Sequence, residues 1–390
     1  MDSPTELTPP PLRRGDYQGE ITITSLRVNG ALPTGLSGRL LGVGPDGLVH
    51  SVHLQAGRSV SYRSRWVMSD SVAQRLGVES TPGPRHTGPD IVAGNIVAFD
   101  GSILAIGDRS LAYKINGDGD TVCRVDLAGQ LRGLAAFPKR DPVSGDLHLL
   151  AFTVDGAPSH VVIFAGARTR TIRTLDGAPT PITDLAVTCD HVLFAAGGFV
   201  GYAPRRGEAH IAWFPTGLEA LLLVHAHDAG ETVVLYTLTP ALERWTLRAR
   251  ATIDRKVLDA TPRRFARTSD ERVNGPPRFL WSTGNGTAAK LDLDSLIHVR
   301  HAFRQGEPGD FVLVADSARP GVADSGWMVG FLHGQASETT NLVVLDAADL
   351  ASVASIPMPR HIPAGVHCTW IPTTHRESTT ENSPQRESRL

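Results

Sequence analysis

From about residue 30 to residue 372 the chain is a succession of short β-type runs cut by glycine, proline and aspartate. Hardly any stretch carries the 3.6-residue apolar period of a helix. The runs include Arg39–Val43, Val49–Leu54, Ser59–Val67, Ile91–Phe99, Ile103–Ile106, His148–Val154, His160–Phe164, His191–Ala195, Thr232–Thr237, Phe311–Ala315, Trp327–Leu332 and Leu342–Leu345. Val49-His50-Ser51-Val52-His53-Leu54 alternates apolar and polar residues, the mark of a half-buried strand. Ser69–Gly77 and Ala347–Ser352 are the two helix candidates. Strands this short, in a chain too long for one sandwich, imply sheets arranged as blades around an axis. No Trp-Asp or similar repeat signature marks the blades, so periodicity by itself gives an all-β propeller of unstated blade number.

Composition narrows the function classes. The 390 residues carry a formal charge of -2 and 41% hydrophobic residues, ample for a packed core, with no basic surplus to suggest a nucleic-acid partner. Cys123, Cys189 and Cys368 are odd in number, far apart and in no C-x-x-C arrangement, which argues against a disulfide scaffold or zinc cluster and for a reducing, cytoplasmic setting. Residues 1–19 are Pro-rich and polar, a flexible lead with no secretory h-region. Residues 373–390 are Ser-, Thr-, Glu- and Arg-rich and read as a disordered tail, leaving 20–372 as a single propeller domain. No apolar run reaches the roughly 18 residues of a membrane span. Oligomeric state is not legible.

Local motifs point further. Leu345-Asp346-Ala347-Ala348-Asp349-Leu350 precedes Pro359-Arg360-His361-Ile362-Pro363-Ala364-Gly365-Val366-His367-Cys368-Thr369-Trp370. Upstream stand Ala135-Ala136-Phe137-Pro138-Lys139-Arg140-Asp141-Pro142-Val143-Ser144-Gly145-Asp146-Leu147-His148, Ile182-Thr183-Asp184-Leu185-Ala186-Val187-Thr188 and His225-Ala226-His227-Asp228-Ala229-Gly230-Glu231. In this order they resemble the motifs of the carotenoid cleavage oxygenases: T-A-H-P-K-x-D-P-x-T-G-E-L-H, M-H-D-F-A-[IV]-T, H-x-x-N-A-Y-E and the closing R-V-P-x-G-F-H-G-x-W. The opening segments Leu32–Leu40, Gly44–His50 and Ser61–Val67 are similar to the family as well.

The resemblance implies a seven-bladed β-propeller of the carotenoid oxygenase type, with a dome of loops, an apolar tunnel and four axial histidines that bind Fe(II). The family's usual reaction cleaves an alkene oxidatively into two carbonyls. On these motifs His225 and His367 keep two of the histidines, while Phe137 and Thr183 replace the other two. Asp108 stands where the family has a glutamate that hydrogen-bonds a ligand histidine. A second such glutamate corresponds to Glu307, with Asp310 as the alternative.

A phenyl ring offers a metal no lone pair, and a neutral hydroxyl is a poor Fe(II) ligand beside imidazole. The bland expectation is therefore a refilled axial cavity and no resident cofactor. The sharper one is a rebuilt metal site from His225, His227 and His367 or Asp184, because His225 and His227 share one strand face. A third is an acid–base set of His225, His367, Asp184, Asp108 and Glu307 that moves protons without metal. His50, His53 and His148 read as structural, and Lys139 and Asp141 as turn or salt-bridge residues. The function expected is metal-independent cyclisation, isomerisation or elimination of an apolar polyene, terpenoid or polyketide-like molecule. The alternatives are an Fe(II) alkene-cleaving dioxygenase with an altered site and a non-catalytic binder of apolar ligands.

Overall fold

A computed structural model of the chain describes residues 19–373 apart from 56–58, 84–89, 91, 93, 108–109, 126–130, 135–137, 142, 154–157, 165–167, 176, 180, 206–209, 249–252, 270–274 and 335–338. Asp108 and Phe137 lie outside the described residues. The strands form seven antiparallel sheets, most of them built from consecutive strands, which are the blades of a propeller. The twelve runs read from the sequence are all strands here, within a few residues at each end.

Blades 1 and 7 close the ring twice. His367–Pro372 from the C-terminal end pairs with Gly38–Val43 to give blade 1 its innermost strand. Asn29–Gly30 from the N-terminal end adds to Ser352–Pro357 as the outermost strand of blade 7. The register Val43↔His367 and Gly38↔Pro372 means that closure itself carries His367 to the centre. The other innermost strands are Gly94–Phe99 in blade 2, Leu131–Leu134 with Lys139–Arg140 in blade 3, and Ile182–Val187 in blade 4. Blades 5, 6 and 7 follow with Leu222–Ala229, Phe265–Thr268, and Glu307–Pro308 with Val312–Ala315.

The core lies between the blades. One apolar cluster fills each of the seven interfaces, such as Leu235, Trp245 and Leu193 between blades 4 and 5, or Trp281, Phe311 and Leu345 between blades 6 and 7. A middle strand is covered on both faces, so Thr232–Leu238 reads as an almost unbroken apolar run, buried from Val233 to Leu238. Ser59–Trp66, next to the outer edge, alternates instead, with Val60, Tyr62, Ser64 and Trp66 buried.

The helix candidate near residue 70 is a helix, Asp70–Leu76. Ser69 caps it by accepting from the Val72 N–H, and Gly77 ends it in the left-handed region. The second candidate is not. Ala347–Asp349 is a turn, in which Asp346 accepts from the Ala348 N–H, and Ser352 already opens a strand. The Asp-rich segment L-D-A-A-D-L offers its carboxylates to nearby backbone N–H groups, and this stabilises the turn over the helix.

Burial holds several histidines neutral. It lowers the pKa of His50 to about 3, helped by the charges of Arg360 and His361, and those of His148 and His225 to about 4. The unfolded chain titrates its histidines near 6.5, so below that pH it takes up protons that the folded state refuses. This stabilisation is complete above pH ~6.5 and is lost as pH falls towards 4. Urea midpoints should therefore drop steadily between pH 7 and pH 4.5, and His50→Gln should flatten the slope. A stability constant over that range would contradict it.

Candidate functional site

The innermost strands of all seven blades contribute to one cavity of about 670 Å³, through Asn95, Lys139, Asp184, Leu223, Arg267, Leu313 and His367 among others. A cavity touched by every blade lies on the propeller axis. Leu222, Phe265, Val312, Val314 and Trp370 give it apolar wall, and its polar groups gather in two assemblies.

Each assembly links three consecutive blades in the same way. In the first, the Lys139 ammonium of blade 3 lies 3.2 Å from a carboxylate oxygen of Asp184 in blade 4 and donates to the Leu223 carbonyl of blade 5 at 3.1 Å. Asp184 in turn accepts from the Leu223 N–H at 2.9 Å. In the second, Arg267 of blade 6 forks onto Asp310, ahead of the blade 7 strand, with Nε and Nη2 donating at 3.0 and 2.6 Å. Arg267 Nη2 also donates to the Cys368 carbonyl of blade 1 at 2.9 Å, while Asp310 accepts from the Cys368 N–H at 3.2 Å. A cation and a carboxylate thus satisfy both backbone groups of one residue on the next innermost strand.

These partners set the charges. Burial alone would raise Asp310, yet the Arg267 guanidinium and the His367 ring outweigh it and hold the carboxyl down at about 2. Asp184 goes the other way. Its burial raises the pKa against the opposing pull of Lys139 and of the Leu223 and Leu185 N–H groups.

His367 lines the cavity, with Nδ1 3.3 Å from Asp310 Oδ2 and the ring edge-on to Phe265 at 5.4 Å between centroids. A carboxylate only accepts, so the contact places the ring proton on Nδ1 and makes Nε2 the basic nitrogen. His225 is on the innermost strand of blade 5, but it is not part of the cavity wall. It donates from Nε2 to the Gly275 carbonyl at 3.1 Å and packs by His227 and Tyr236, with centroids 5.8 and 6.2 Å away. Glu307, one carboxylate expected near the retained histidines, is bonded elsewhere, and Asp108, the other, lies outside the described residues. His225 and His227 do share a face, and burial lowers both; His227 Nδ1 has no partner among the described residues.

Glu307 is not beside His367. Both its oxygens accept, at 2.8 Å, from the Asn285 and Gly286 N–H groups of the blade 6 hairpin, where Asn285 and Gly286 have positive φ. Asp310 holds the position by His367. The local spacing to Phe311 was the signal, and the match to Glu-Pro outweighed it. Thr183 lies in a β-bulge between Ile182 and Asp184, exposed, and donates weakly to the Ala195 carbonyl at 3.5 Å. A second bulge falls between Leu223 and His225. Bulges re-aim side chains, and these two turn Asp184 and Leu223 into the cavity. Lys139 makes the salt bridge expected of it, though to the next blade and not within its own turn. Arg264 and Arg267 carried no motif, and sequence reading missed them.

An Fe(II) held by four imidazoles does not fit these residues. Thr183 offers a hydroxyl, the Nε2 of His225 is engaged with the Gly275 carbonyl, and no three His, Cys, Asp or Glu converge among the described residues. The clamp at Asp310 is testable by itself. Asp310 is buried while the Arg267 side chain is 37% exposed, so Asp310→Ala should lower the urea unfolding free energy by about 2–3 kcal/mol, the weight of charge-assisted hydrogen bonds lost to a hydrated cation. Glu307→Ala, at a partly exposed hairpin, should cost about 1–2 kcal/mol. Equal costs would mean that the axial pair carries no special weight.

The chain has relatives across its length. A family profile described as "RPE65: Retinal pigment epithelial membrane protein" matches residues 15–239 and 225–372. The carotenoid cleavage oxygenase of Mycobacterium tuberculosis (strain H37Rv) is 26% identical over 498 aligned positions, covering 91% of this chain and 95% of that protein. A chloroplastic 9-cis-epoxycarotenoid dioxygenase of Oryza sativa subsp. japonica is 26% identical over 357 positions, 73% of this chain and 55% of that one. Among solved structures, cobalt-substituted Synechocystis apocarotenoid oxygenase superposes with a TM-score of 0.76 at 18% identity, covering 91% of this chain and 97% of that one. With a seven-bladed propeller and a family match over nearly its whole described length, the chain belongs to the carotenoid oxygenase (RPE65) family.

Proposed function

We propose that this protein binds an apolar polyene, terpenoid or polyketide-like molecule in the axial cavity and promotes a metal-independent proton transfer there: isomerisation, cyclisation or elimination. The observation that carries this reading is the polar set on the axis. Where the resemblance leads one to expect an imidazole cage, the cavity holds Lys139–Asp184 and Arg267–Asp310–His367.

Asp184 and His367 both line the cavity. Burial favours the protonated form of the Asp184 carboxyl, and Asp310 fixes the His367 tautomer with Nε2 as base. In an isomerisation, one group takes a proton from a substrate carbon, the electron pair shifts along the conjugated chain, and a proton returns at another carbon. No electrons leave the substrate, so no oxidant is required. Asp310 and Arg267 act as positioning residues, and the apolar wall excludes water. The 670 Å³ cavity is within the usual range for small-molecule sites.

A second reading, oxidative alkene cleavage at an altered Fe(II) site, is favoured by the similarity to named carotenoid oxygenases and by the retention of His225 and His367. Iron content and oxygen dependence separate the two. After anaerobic reconstitution, iron should be far below one per chain, and chelator should leave turnover unchanged. His367→Ala should lower turnover by about 10²–10⁴-fold, the usual weight of a lost acid–base group. One tightly held iron per chain, with oxygen-dependent aldehyde products, would establish the dioxygenase instead.

A further inference from the structure

Among the described residues, the wall of the axial cavity carries Lys139, Arg140, Arg264 and Arg267 against the acidic side chains of Asp184 and Asp310, a surplus of two cations in a protein whose formal net charge is -2. His367 is the one further titratable side chain among the described lining residues.

The four cations are not equivalent. Lys139 is committed to Asp184 and the Leu223 carbonyl, and Arg267 to Asp310 and the Cys368 carbonyl. Arg140 is tied to the Ala98 carbonyl of blade 2 and packs on the Phe99 ring. Arg264 differs. Its guanidinium has no hydrogen-bond or ion-pair partner among the described residues, while its backbone is fixed by donation to the Thr283 carbonyl at 2.9 Å. It precedes Phe265, so a cation and an aromatic wall stand side by side at the cavity.

From this we infer that the ligand is an amphipathic acid, a conjugated or isoprenoid hydrocarbon ending in a carboxylate, and that Arg264 is the residue that receives the carboxylate. A neutral hydrocarbon offers these cations no acceptor, whereas an acid does. A terminal carboxylate accepts the two parallel N–H groups that a guanidinium presents, and the hydrocarbon part lies along Leu222, Phe265, Val312 and Trp370. The inference rests on the reading of the axial cavity as the ligand site and adds the chemical class of what enters it.

Trp370 in the wall supplies the readout. Quenching of tryptophan fluorescence would be titrated with three probes of one carbon skeleton: all-trans-retinoic acid, its methyl ester and all-trans-retinol. The wild-type protein should bind the acid at least ~10-fold more tightly than the ester, the lower end of what a charge-assisted contact supplies. Arg264→Gln should bring acid and ester to within ~2-fold of one another while leaving retinol affinity unchanged, and Arg264→Lys should restore part of the preference. Arg264 is exposed and its side chain has no partner among the described residues, so matching melting temperatures for the variants are expected and would be checked alongside.

Equal affinities for acid and ester in the wild type would overturn the inference while leaving the cavity as a ligand site. An acid preference that survives Arg264→Gln would overturn the assignment to Arg264. Failure of all three probes to bind would remove the cavity reading itself, and this inference with it.

Discussion

The innermost strand of every propeller blade is a sheet edge, whose inner N–H and C=O groups have no further strand to pair with. Backbone groups in that position need partners, because each one left unsatisfied costs as much as a lost hydrogen bond. Two ionic clamps answer this requirement. Lys139 and Asp184 satisfy the carbonyl and N–H of Leu223; Arg267 and Asp310 satisfy those of Cys368. One ties blades 3, 4 and 5, the other blades 6, 7 and 1. Between them they reach six of seven blades, and the Thr369 hydroxyl carries the contact on to blade 2 by donating to the Ile96 carbonyl.

The clamps also decide what the axis offers a ligand. A buried acidic group without a partner is expensive, so Asp184 and Asp310 depend on the half-exposed cations Lys139 and Arg267. The set is rigid, since each ion is bonded to backbone as well as to its counter-ion. His367 is drawn into it through Asp310, and the ring is therefore held and tautomerically defined. His225, on blade 5, belongs to a different environment. It is a neutral imidazole between Gly275, His227 and Tyr236, packed among side chains and not presented to the cavity.

Much of the architecture was legible because blades use simple rules. Period-two alternation and turn residues identified strands, and Ser69 with Gly77 bracketed the one helix among the described residues. The segment Ala347–Ser352 misled because helix propensity is weak over six residues and aspartates compete for backbone N–H groups. Glu307 misled for another reason. Its motif context was right, yet its carboxylate was claimed by the Asn285–Gly286 hairpin, a contact made across 22 residues of sequence. Lys139 was given its role but not its address, since nothing in a turn-like segment tells which blade lies opposite.

The sequence by itself determined the blade-forming strands and the histidine positions His225 and His367, because both are encoded in residues close together in the chain. It also supplied the motif alignment that sets Phe137 and Thr183 against two of the family's histidine positions, since that comparison needs only side-chain identity. Tertiary structure alone decided which charges meet on the axis. Arg267 reaches Asp310 over 43 residues and Cys368 over 101, and Lys139 reaches Leu223 over 84. These contacts follow from ring closure, in which the register of His367–Pro372 against Gly38–Val43 brings the two ends of the chain together. Bulges at Thr183 and before His225 then choose which side chains enter the cavity. A one-residue shift in a strand reverses its faces, so the contents of the axis are set by pairing and not by composition.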